Sequence, residues 1–226
     1  MKKGQRKGNG FRTFWGLLLS VLWVAWGGTA LGRARSLGAD QVRPTITLLV
    51  GNYAAIDERT LVEAEKEASR VFDRAGVTLS WHACGGSGQP VSDLACASAD
   101  DPRLIKVRLV KRILDGSHLT DDGTLGFAVA QMATVSYVRA QEISNAEIEN
   151  VECLLGYAMA HELGHVLMPG RPHTADGIMR ADWDTVDLSR ISQGSLGFRA
   201  DEKALIRAEA KRRGGAGGVV SISSQH

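Results

Sequence analysis

His161-Glu162-Leu163-Gly164-His165 lies within the run Cys153-Leu-Leu-Gly-Tyr-Ala-Met-Ala-His-Glu-Leu-Gly-His-Val-Leu-Met168 and is followed by His173 and Gly177-Ile178-Met179. This stretch decides how the chain is read. The run is apolar nearly all round, the signature of a buried helix rather than a solvated one. On such a helix, residues four apart lie about 40° from each other around the axis and roughly 6 Å along it, so both imidazoles reach one metal ion. Two histidines and a glutamate in an apolar helix need partners, and a shared zinc ion supplies them. Glu162 is not a ligand in this scheme: it stands beside the ion, where it takes a proton from an activated water and passes it to a leaving amine. The helix stops at Pro169-Gly170, because proline cannot continue the hydrogen-bond ladder and glycine takes the left-handed turn. His173 follows three residues later. Three histidines leave a coordination position open for water, whereas structural zinc sites favour four protein ligands rich in cysteine.

Working outward, these residues resemble the metzincin clan of zinc endopeptidases, whose pattern is HExxHxxGxxH followed by a methionine turn. His161, Glu162 and His165 match directly, Gly170 and His173 take the Gly-x-x-His part, and Met179 takes the methionine turn. The standard spacing places glycine at 168 and histidine at 171, where this chain has Met168 and Arg171, so its ligand loop is two residues longer. The resemblance implies an α+β, zincin-like fold: a twisted mixed sheet with an edge strand over the active-site helix, and a small C-terminal helical subdomain. It implies one catalytic Zn2+ held by His161, His165 and His173, Glu162 as general base and then acid, and a peptide or protein substrate. An edge strand at Leu125, Gly126, Phe127 and Ala128 would pair with the substrate main chain. A rival reading keeps the site without turnover, as a zinc- or peptide-binding module.

The flanking sequence fits that order of elements. Thr45 to Tyr53 reads as a strand, Asp57 to Ala75 as an amphipathic helix with Leu61, Ala64, Ala68, Val71 and Phe72 at helical spacing, and Val77–His82 and Leu104–Ile113 as strands. Gly123 to Ala130 reads as the edge strand, Ala133 to Ala140 as a further inner strand, and Phe198 to Arg213 as a C-terminal helix. His82 reads as an ordinary strand residue. The pocket that selects a substrate side chain is expected between Arg180 and Gly197.

At 226 residues and 44% hydrophobic, the chain suits a single catalytic domain, read here as 40–212. A flexible Gly-rich tail is expected at 213–226. Its N-terminus reads as export machinery. Lys2, Lys3, Arg6, Lys7 and Arg12 precede an uncharged stretch from Thr13 to Gly32 with an apolar centre. Residues 1–32 are therefore a signal peptide or, since about 20 uncharged residues can span a bilayer, a signal anchor. Either places the domain in an extracytoplasmic compartment, secreted or periplasmic, with membrane contact only through an uncleaved N-terminus. The net charge of +2 owes its sign to those five cations. No basic face remains to suggest nucleic acid, and a monomer is expected. Cys84 and Cys96 flank a loop rich in glycine, serine and proline and are suited to a disulfide in an oxidising compartment. Cys153, eight residues before His161, is too far along the helix to share its ion and reads as a small buried apolar side chain.

Overall fold

The computed structural model describes residues 43–86, 96, 101–113, 124–147 and 150–215. The export segment at 1–32 and most of the 213–226 tail lie outside the described residues. Among those described, no helix is long and apolar enough to cross a membrane.

Five strands form one mixed sheet. They are β1 (Thr45–Asn52), β2 (Thr78–Gly86), β3 (Leu104–Val110), β4 (Gly126–Val129) and β5 (Met132–Ser136), in the order β2-β1-β3-β5-β4. The first four positions run parallel and β4 alone is antiparallel, pairing Gly126 with Val135 and Ala128 with Ala133. The apolar runs of β1 and β3 occupy the middle, where Leu48, Val50, Ile105, Val107 and Leu109 are buried, as parallel strands covered by helices require.

Helix α1 (Glu58–Asp73) starts where the Asp57 carboxylate accepts from Thr60 N and buries Ala64, Ala68, Val71 and Phe72. It hands the chain to β2 through Gly76 at φ +81°. The strand expected over 133–140 is shorter than that. It ends at Ser136, and α2 (Tyr137–Glu147) begins at once. Ser136 Oγ accepts from Arg139 N at 3.3 Å, so its hydroxyl satisfies a free amide of the first turn. Alternation of apolar residues continued past the boundary by chance and hid this start.

The long apolar run forms α3 (Val151–Leu167), whose N-cap Asn150 accepts from Cys153 N at 2.7 Å. It packs closely on α1: a Cβ placed on Gly156 would lie 2.5 Å from Ala64 O and 2.6 Å from Glu67 Cβ. Beyond it come α4 (Thr185–Ser192), opened by an Asp184/Asp187 capping box, and α5 (Ala200–Gly215). The span 180–197, read from sequence as a pocket loop, thus contains a helix. Arg74, the C-cap of α1, reaches across to the carbonyls of Gly194 (2.9 Å) and Leu196 (2.6 Å), tying this C-terminal part to the first helix.

Candidate active site

His161 and His165 sit one turn apart on α3, and His173 arrives from the loop beyond it. Their Nε2 atoms converge: 3.0 Å separates His165 from His161, and 3.0 Å separates it from His173. Donors each 2.0–2.1 Å from a tetrahedral zinc lie about 3.3 Å apart, so the spacing is close to that of a zinc ligand set. Ligand atoms of all three lie within 4.8 Å of one another.

Each imidazole is held for the task. His161 Nδ1–H donates to Ile178 O at 2.7 Å, which fixes the tautomer and leaves the Nε2 lone pair facing the other two rings. Burial pushes His161 down to about 4, against the pull of the Ile178 carbonyl, and the neighbouring His165 and His173 lower it further. His165 is lowered by burial and by His173. Neutral imidazoles are what a metal requires. His161 is buried, His165 half-buried and His173 exposed, so the cluster opens to solvent on the loop side.

The turn that supplies Ile178 is itself fitted to α3. Gly177 adopts φ +80°, Ile178 N donates to Gly197 O at 3.1 Å, and Trp183 Nε1 shares the Ile178 carbonyl at 3.2 Å. Met179 is buried against α3, its sulfur 2.6 Å from where a Cβ on Gly164 would stand. Gly164 is therefore the seat of the methionine, a role that spacing along the helix does not disclose.

The longer ligand loop is clamped by the start of α5. Arg171 pairs with Asp201, Arg199 Nη1 with Asp176 at 3.0 Å, and Thr174 Oγ1 donates to Glu202 Oε1 at 3.2 Å. Glu202 is fully buried and also accepts from Arg199 N at 2.7 Å, while Thr174 N donates to Met179 O at 2.9 Å. Apart from Arg171, which occupies the standard ligand position, no spacing in the sequence marks these residues. Alternating charges near a helix start are common on solvated surfaces, and only the fold brings them to the loop.

Glu162 projects from α3 toward β4. It is buried, its Oε2 has no partner among the described residues, and burial pushes the carboxyl up to about 8. A dication alongside would act in the opposite direction. Its Oε1 lies 2.6 Å from a Cβ placed on Gly126, so only glycine at that point of the edge strand leaves room for it. An orphaned buried carboxyl oxygen demands a polar partner. Together with the three imidazoles it makes a donor set that fits a zinc ion and a water molecule.

These groups line a cleft of about 950 Å³. Leu125, Gly126, Phe127 and Ala128 line it, as do Arg180 to Trp183. Leu125 precedes β4 by one residue, and its carbonyl accepts from Ser136 N at 2.8 Å. Phe127 and Val129 are exposed. Elsewhere, Cys84 and Cys96 come together with Cα atoms 5.5 Å apart. Cys153 is buried, its thiol donating to Ile191 O at 3.2 Å, and burial pushes that thiol up to about 11. His82 stands on β2 beside Ser80, at the far edge of the sheet from β4.

No protein-family model matches the chain, and no curated protein matches it by sequence. Solved structures do match in fold. A zinc-dependent peptidase from Methanocorpusculum labreanum superposes with a TM-score of 0.50 at 14% identity, covering 71% of this chain and 99% of that one. An archaemetzincin from Methanopyrus kandleri gives 0.47 at 16% identity, with 75% and 97% covered. Metalloproteinase-II from Bacteroides fragilis gives 0.47 at 12% identity, with 74% and 54% covered. The chain thus shares the fold of the Methanocorpusculum labreanum peptidase and carries three histidines placed to hold a metal ion.

Proposed function

We propose that this protein is an exported zinc endopeptidase of metzincin type. The observation that carries the reading is the convergence of three Nε2 atoms beside a buried carboxyl that lacks a partner, within a cleft bordered by an edge strand. His161, His165 and His173 would hold one zinc ion, which supplies Lewis-acid polarisation of the scissile carbonyl and acidifies water.

This chain's own residues do the rest. Ile178 O holds the His161 ring in the tautomer that directs Nε2 inward. The cleft side of β4 receives an extended peptide by main-chain pairing at Leu125 to Ala128. Glu162, set against Gly126, takes a proton from the attacking water at its unpartnered Oε2 and delivers it to the departing amine nitrogen. Met179, packed against Gly164, supports the helix that carries His161 and His165. No covalent intermediate is involved. A disulfide between Cys84 and Cys96 and passage out of the cytoplasm through residues 1–32 belong to the same proposal.

The test is zinc content beside peptide cleavage in wild type, His173→Ala and Glu162→Gln. One zinc per chain, weakened by His173→Ala, with cleavage abolished by Glu162→Gln, is expected. Zinc binding by a wild type that cleaves no peptide would leave a binding module of the same fold. A wild type that takes up no zinc at neutral pH would end the reading altogether.

A further inference from the structure

Beyond the reactive centre, the cleft extends between α2 and α4. Ile143 and Ala146 of α2 and Leu188 of α4 give it apolar sides. Two arginines line it, and they differ in how they are satisfied. Arg180 is neutralised by Asp184 at 2.5 Å and Asp187 at 2.9 Å. Among the described residues Arg139 has one ionic contact, 3.4 Å from Nη1 to Glu142, and Glu142 is already held by Arg112 at 2.9 Å. The Nε–H of Arg139 is buried and meets no acceptor among the described residues.

The position of Arg139 follows from the sheet. Ser136, whose hydroxyl takes the Arg139 amide, also donates its own amide to Leu125 O. Leu125 adjoins Gly126, the residue against which Glu162 packs. Arg139, at the start of the helix that follows β5, lines the same cleft as Gly126 and Glu162. A peptide laid along β4 advances about 3.3 Å per residue, and its side chains near the scissile bond would share this cleft with Arg139.

We propose that Arg139 is a specificity residue that selects peptides bearing a carboxylate near the cleavage point, a reading that rests on the peptidase assignment above. Apolar walls ending in a guanidinium with spare donors match a glutamate side chain: its methylenes lie along Ile143 and Leu188, and its carboxylate meets the guanidinium fork. A free C-terminal carboxylate has the same chemistry and is separated from it by the test.

The full-length, zinc-loaded Glu162→Gln protein, which binds without turnover, is titrated calorimetrically with three peptides. One carries an internal Glu and an amidated end, the second has Gln in its place, and the third is the Gln peptide with a free C-terminus. At least one carboxylate peptide binds about tenfold more tightly than the amidated Gln peptide, and which one does identifies the source. Arg139→Gln brings that ratio near one, and Arg139→Glu turns the preference toward a Lys peptide. Equal binding of all three peptides, or an Arg139→Gln variant that weakens all three alike, would overturn the proposal. If wild type cuts none of the peptides while the Arg139-dependent preference persists, the peptidase reading falls and the carboxylate site stands.

Discussion

The two halves of α3 are buried alike, yet they meet different walls. The first half, through Gly156, lies on the backbone of α1, where Ala64 O would be 2.5 Å from a new Cβ. The second half, through Gly164, lies on the end of a flexible side chain, Met179, with Phe198 3.0 Å away. Polar atoms divide the same way. In the first half Tyr157 Oη accepts from Arg74 at 3.4 Å and Cys153 reaches Ile191 O, whereas in the second Glu162 Oε2 has no partner. Burial does not separate scaffold from chemistry in this helix. Satisfaction of its buried polar groups does.

The sharpest way to test that division is Glu162→Gln, which should lower turnover by roughly 10²- to 10⁴-fold with zinc content and thermal midpoint unchanged. Loss of zinc in this variant would mean that Glu162 serves the scaffold after all. Next, His173→Ala should weaken zinc by more than the roughly 10- to 100-fold typical of outer-shell changes, read by competition with a chelator. Folding of the zinc-free protein should hardly respond.

The glycines break the comparison at its joint. Gly156→Ala presses on backbone and should cost about 1–3 kcal/mol in denaturant unfolding, with zinc affinity per folded molecule preserved. Gly164→Ala presses on a sulfur that can swing aside, so its cost should stay below about 1.5 kcal/mol and appear mainly as weaker zinc binding. If the two variants respond in the reverse order, the contrast between hard and soft walls is wrong.

The smallest effect belongs to α1, the scaffold side. Burial pushes Glu65 up to about 7 from an ordinary 4.5. The folded state then holds its proton where the unfolded chain has lost it, so stability falls as pH rises from about 4.5 through about 7. Glu65→Gln should therefore be the more stable protein near pH 8, by on the order of 1 kcal/mol once solvent screening of this partly exposed carboxyl is allowed for. The gap should close near pH 4.5, as pH-dependent melting curves would record.

Much of this was legible in advance because helical spacing is local. His161 and His165 on one face, the apolar run, the Pro169-Gly170 stop and the strand–helix–strand start all follow from periods of 3.6 and 2. Two helix starts carry a capping residue in the sequence, Ser136 three residues before Arg139 and Asp184 three before Asp187. The functions of Gly126 and Gly164 were not legible. Each is small because something distant in sequence arrives there, Glu162 in one case and Met179 in the other. The Asp176, Arg199 and Glu202 clamp was hidden for the same reason.

That clamp gives metal capture a place in time. The first two histidines share one helix and are ready as soon as α3 forms. The third is fixed only when Arg171 and Thr174 find Asp201 and Glu202 at the start of α5, the last element described. A chain still emerging, or one whose final helix has melted, offers an ion two ligands and a loose end. The proposed ion would therefore meet its full ligand set only in a chain whose last helix has docked, so bound metal would report on completion of the fold.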